Sequence, residues 1–196
     1  MEKRATKRTM PLLDSSHYQM RADDSGAEKR LKGYAAVFGA IYDLWPGASE
    51  SIDPHAFDEA LDDDVRCLID HETRLVLGRN KSGSCQLGVD NHGLWFDNLI
   101  NEQDSDATNL YARVMRGDVS GCSLGFDILE EETEHRRDGS VHWTIKKVKL
   151  YEISVCTFPA YQATSVEARR QDFDTIRRRE AEEWKTKTKE RMSKWH

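Results

Sequence analysis

Two long runs rich in β-forming residues, Ser120–Leu129 and Val141–Phe158, stand either side of the charged stretch EEETEHRRDGS. Strands of that length constrain the whole chain. Each carries a row of backbone donors and acceptors that must be paired, so a sheet has to form around them and its edges have to be protected. Shorter strand-like runs precede them: Leu31–Gly39 (LKGYAAVFG), Val65–Ile69, Leu75–Gly78, Gln86–Val89 and Gly93–Leu99. The last two flank Asp90-Asn91-His92-Gly93, a hairpin signal. Two helices interrupt the series. One starts at Asp53-Pro54, a cap followed by the residue best tolerated at a first helical position, and runs into Asp62-Asp63-Asp64. The other is Ser105–Arg116, where Ala107, Leu110, Tyr111 and Val114 keep helical spacing and Gly117 supplies the stop. The pattern predicts a β-rich α+β fold: a closed or nearly closed β-barrel of about six or seven strands with inserted helices, plus a C-terminal polar helix.

The ends differ from this body. Residues 1–30 have few apolar positions and no period, and read as a flexible segment. Residues 169–196 read as a charged helical tail whose few apolar residues (Phe173, Ile176, Trp184, Met192, Trp195) cannot form a wide stripe. Charge follows the same division. The formal net charge is −6, yet residues 31–166 hold 12 Lys+Arg against 23 Asp+Glu, while both ends are mildly basic. An acidic body repels phosphate backbones, which argues against nucleic acid as a partner. No apolar run approaches the ~18 residues of a membrane span, and no apolar stretch follows the basic N-terminus as a secretory signal requires. Cys67, Cys85, Cys122 and Cys156 are widely spaced without a CxxC pair, which reads as buried, reduced thiols in a cytosolic protein.

Three places put a reactive side chain in an unusual setting. His71 follows an apolar strand, where a histidine at the sheet rim can titrate near neutral pH; it is equally a loop histidine. Ser123 lies between Gly121 and Gly125 in an apolar strand, which gives a nucleophile room for an acyl group to approach; a buried serine at a bulge has the same pattern. Period 2 puts Glu152, Ser154 and Cys156 on one face of their strand, so Glu152 can orient an imidazole, or else form a surface ion pair. Cys122 is a rival thiol nucleophile, but adjacent strand residues face opposite ways, so only one of Cys122 and Ser123 can meet His71. Asp70-His71-Glu72 offers metal ligands without the spacing of a metal hydrolase, and no cofactor or metal site is indicated.

In their order along the chain, these segments resemble the prohead (capsid maturation) serine proteases of tailed bacteriophages, which share the herpesvirus assemblin-type fold. The resemblance covers roughly residues 31–168, the protease domain. It is carried by Gly33-Tyr34-Ala35-Ala36-Val37-Phe38, Ile52-Asp53-Pro54-His55-Ala56-Phe57, Asp70-His71-Glu72 with Leu77-Gly78-Arg79, Gly121-Cys122-Ser123-Leu124-Gly125-Phe126, and Glu152-Ile153-Ser154-Val155 with Thr157-Phe158-Pro159-Ala160. The family often has glycine where His55 stands. The resemblance implies a serine endopeptidase with His71 as general base, Ser123 as nucleophile and Glu152 as orienting acid. It implies no cofactor. The substrate would be the scaffolding segment of the phage major capsid protein, and the chain itself, inside the immature prohead in the host cytoplasm; a homodimer is a further implication. Backbone N–H groups near Arg79 or Gly125 are candidates for the oxyanion site. A non-catalytic assembly or scaffolding protein on the same fold is the alternative.

Overall fold

The computed structural model of the chain describes residues 21–23, 28–157, 178, 181–182 and 184–187. The chain divides into two compact units, residues 1–162 and 163–196. The first holds β1 (Arg21–Asp23), β2 (Arg30–Val37), β3 (Tyr42–Trp45), β4 (Ala48–Ile52), β5 (Arg66–Ile69), β6 (Glu72–Arg79), β7 (Cys85–Val89), β8 (Gly93–Leu99), α1 (Ser105–Arg116), β9 (Gly121–His135) and β10 (Val141–Cys156). The β-rich α+β class is as the sequence predicts. Among the described residues there are ten strands rather than six or seven, because β1, β3 and β4 are short and polar enough to escape a pattern search.

The strands pair as two sheets. One is antiparallel in the order β1-β2-β8-β7. The other is built on β10, the spine of the molecule. Along one edge β10 pairs antiparallel with β9 from Val141↔His135 to Cys156↔Gly121. Along its other edge it pairs in parallel twice, with β4 at residues 141–145 and with β5 at 152–155. β3 and β6 extend the sheet beyond β4 and β5. Among the described residues these ladders do not themselves join into one ring.

The gap between β4 and β5 explains the main departure from expectation. The predicted helix after Asp53 is a run of turns closed by a short 3₁₀ segment, Ala60–Asp62. Asp53 does cap it, its Oδ1 accepting the His55 N–H at 2.9 Å. The segment then serves β10 instead of winding into an α-helix. Asp53 N–H donates to Ile145 O, Val148 N–H to Ala56 O and Leu150 N–H to Asp63 Oδ2. The β10 donors left uncovered between its two parallel partners are thereby satisfied, and Ala56, Phe57 and Ala60 are buried beneath it.

The charged stretch 130–135, expected as loop, is the outer half of β9. Its exposed glutamates occupy a strand because the first half of β10 needs a partner, and charge on such a strand opposes edge-to-edge association. α1 spans the predicted residues and buries the predicted face, Ala107, Leu110, Tyr111 and Val114. β7 and β8 form the predicted hairpin, with Asp90 Oδ1 accepting the His92 and Gly93 N–H groups. A continuous core runs between the sheets and α1 through Leu31, Tyr42, Ile52, Phe57, Leu94, Phe96, Leu110, Phe126, Ile145, Leu150, Ile153 and Val155.

The N-terminal segment is paired with β2 at 21–23, where a flexible chain is expected; its residues 1–20 and 24–27 lie outside the described ones, as does Phe158-Pro159-Ala160. In the second unit, residues 178, 181–182 and 184–187 are helical and exposed, and the rest of the expected tail helix lies outside the described residues.

Candidate active site

His71 sits in the two-residue turn between β5 and β6. Asp70 and His71 have φ of +46° and +62°, and Ile69 pairs with Glu72 across them. Two successive left-handed residues give the turn whose twist suits a tight hairpin, although such positions favour Asn and Gly. The turn is held to β10 at several points. Asp70 N–H donates to Val155 O, and Asp70 Oδ1 accepts the Thr157 N–H at 2.9 Å. His71 N–H donates to Ser154 Oγ at 3.2 Å.

Those ties aim the imidazole at β10. His71 Nδ1 lies 2.7 Å from Glu152 Oε1. Glu152 is 5% exposed, and Ser154 Oγ donates to its other oxygen, Oε2, at 2.7 Å. A buried carboxylate needs such donors to offset its lost hydration. The sheet makes room for it through Gly125, its cross-strand partner: a Cβ at that position would lie 2.5 Å from Glu152 Oε1. This close approach is the role the structure gives to the second glycine of Gly-Cys-Ser-Leu-Gly.

Ser123 is directly opposite Ser154 in the β9–β10 ladder. Cross-strand partners share a face of the sheet, so Ser123, Ser154 and Glu152 lie on the face that His71 covers. Ser123 and His71 are near one another. Ser123 Oγ and His71 Nε2 are both buried, and both lack a hydrogen-bond partner among the described residues. With Nδ1–H donating to Glu152, Nε2 is the ring's basic nitrogen. The structure therefore leaves a hydroxyl in want of an acceptor beside an imidazole nitrogen in want of a donor.

Cys122 pairs with Val155, on the opposite face. Burial raises its thiol well above the ordinary range, with the nearby Cys156 adding to the effect, so the thiolate a nucleophile requires is absent near neutral pH. Cys156 is likewise pushed up to about 12, by burial first and then by the charges of Asp70 and Glu152. All four cysteines are buried and none forms a disulfide among the described residues. The side chains of Asp70, His71 and Glu72 turn to three different partners, the Thr157 N–H, Glu152 and Arg74. Arg79 N–H, a candidate oxyanion donor, is occupied by Ser84 Oγ at 3.0 Å. His55 is exposed, hydrogen-bonded to Asp58.

Among known proteins, the sequence model described as "Caudovirus prohead serine protease" matches residues 16–179. The chain is also 28% identical over 178 residues to the protein named "Prohead protease" of Enterobacteria phage HK97, an alignment covering 88% of this chain and 74% of that one. No solved structure matches. No helix among the described residues is long and apolar enough to cross a membrane. A match over most of the sequence, including every segment that builds the site just described, leaves one assignment: the chain belongs to the caudovirus prohead serine protease family.

Proposed function

We propose that this serine protease of capsid maturation works through Ser123 as nucleophile, His71 as general base and Glu152 as the acid that orients it, on a nearly closed barrel within a protease domain assigned to residues 31–168. The observation that carries the assignment is the pair of unpartnered buried atoms, Ser123 Oγ and His71 Nε2, beside a 2.7 Å His71–Glu152 contact. A buried polar atom without a partner costs about 1–3 kcal/mol. A triad gives a reason for two such atoms at one place.

The chemistry follows from the geometry. Nε2 takes the Ser123 proton as Oγ attacks a peptide carbonyl, and the C–O bond of an acyl-enzyme forms while the C–N bond breaks. Imidazolium, stabilised by the Glu152 carboxylate, returns the proton to the leaving amine through Nε2. Water then attacks the acyl carbon by the same route in reverse, releasing the carboxylate product. The substrate is the scaffolding segment of the major capsid protein, cut inside the prohead. The charge-rich termini of the chain itself are secondary substrates, since chain ends are where proteolytic cuts concentrate.

The test is intact mass spectrometry of the chain and of Ser123→Ala, each incubated with the phage's full-length capsid protein. Trimming by the wild type and none by the variant is expected. Equal trimming by both would move the nucleophile elsewhere.

A further inference from the structure

Ser154 has no part in the triad, yet it touches two of its members. It is fully buried, at 0% exposure. Its hydroxyl proton goes to Glu152 Oε2 at 2.7 Å, while its oxygen accepts the His71 backbone N–H at 3.2 Å. Glu152 Oε1 in turn faces His71 Nδ1 at 2.7 Å. The three groups form a closed circuit: base side chain to acid, acid to Ser154, Ser154 to base backbone. Ser154 is also the cross-strand partner of Ser123.

We propose that Ser154 is a positioning residue for the protease reaction, its hydroxyl setting the Glu152 carboxylate and the His71 turn in one frame. The proposal rests on the triad reading above. The physical argument has two parts. A carboxylate rotates easily about its last torsion, and a donor on Oε2 fixes the plane in which Oε1 meets Nδ1–H. The His71 turn carries two left-handed non-glycine residues, a conformation that persists only where its surroundings hold it. The bond from His71 N–H to Ser154 holds it at the catalytic residue itself. A hydroxyl has one proton, and here that proton is committed to Glu152. Ser154 is therefore not a second nucleophile, although it stands beside Ser123.

The test measures the rate at which a fluorophosphonate probe acylates the full chain across pH 5–9, by intact mass. Ser154→Ala is expected to label about 10- to 100-fold more slowly, the range found when a group orienting a catalytic ligand is lost. In a Glu152→Gln background the same substitution should cost less than it does in the wild type, since only the hold on the His71 turn is then lost. Labelling of Ser154→Ala within twofold of the wild type, or an equal loss in both backgrounds, would overturn the proposal. Should Ser154→Ala fail to fold, Ser154→Cys, near in size and a weak donor, is judged by the same two outcomes. Ser123→Ala separates the levels. If that variant still labels at the wild-type rate, the triad reading itself fails. If it is silent while Ser154→Ala labels normally, the triad stands and Ser154 loses its role.

Discussion

Asp70 and His71 place the reactive imidazole on strained backbone, at φ +46° and +62°. A left-handed residue with a Cβ costs about 1–2 kcal/mol. The strain can be measured apart from the loss of the ring. Under the proposed triad His71→Ala and His71→Gly should both abolish labelling of Ser123, but only glycine relieves the turn. His71→Gly should be the more stable by about 1 kcal/mol in urea denaturation; equal stabilities would mean that the turn is unstrained. Gly125 tests the same site from β9. A methyl there meets the Glu152 side chain at 2.5 Å, so Gly125→Ala must displace the acid from His71 or part the strands. Overpacking of this kind costs about 1–3 kcal/mol, and activity should fall by at least an order of magnitude. A folded Gly125→Ala chain with wild-type turnover would show that the contact with Glu152 is dispensable.

The elements differ in how legibly they are written. α1 carries its own boundaries: Asp104 Oδ1 accepts the Asp106 and Ala107 N–H groups, and Gly117 takes φ +85° to close the last turn. Asp104→Ala should cost about 1 kcal/mol of stability. Those signals are local, so sequence alone finds them. The segment after Asp53 carries the same kind of start signal, but β10 claims its carbonyls and carboxylates, and only the tertiary pairing reveals that claim. The outer half of β9 hides for the same reason, since polar residues occupy a strand when a neighbour needs them. At the site, His71, Ser123 and Glu152 stand out as reactive types in β-rich surroundings. Ser154 does not, because a serine in a strand is ordinary until both of its hydrogen bonds are seen.

The β4–β10 seam holds a second histidine, His142, between Ser49 Oγ at Nδ1 and Ser51 Oγ at Nε2, each 2.8 Å away. Burial holds its pKa below the ordinary imidazole value; Arg136 acts in the same direction, and Glu134 and Glu50 oppose. The folded chain thus takes up this proton less readily than the unfolded chain. Its contribution is intact above about pH 6.5, the ordinary value, and is lost as pH falls through it. The urea midpoint should drop between pH 7.5 and 5.5, and drop less in His142→Gln. Parallel slopes would remove His142 from the account.

Over the whole molecule the decisive property is access. Ser123 is 2% exposed and His71 Nε2 is buried, so the atoms that would meet a peptide carbonyl under the proposed triad are closed off from solvent. A buried site opens by local separation, whose free energy lies below that of global unfolding. Such an opening favours small reactants. A compact sulfonyl fluoride should acylate Ser123 in the free chain faster, relative to its rate with a small serine nucleophile in solution, than a bulky biotinylated fluorophosphonate, by on the order of tenfold. Urea below the unfolding transition should narrow that gap, because it favours the opened form without dissolving the fold. If the two reagents keep their solution ratio in plain buffer, the site is already open to an extended chain. If a gap appears and urea does not narrow it, the selectivity belongs to the shape of the site and not to its opening. The predicted pattern, slow and size-dependent in buffer and faster under mild destabilisation, would make exposure of Ser123 a pre-equilibrium that scales the rate of acylation outside the substrate complex.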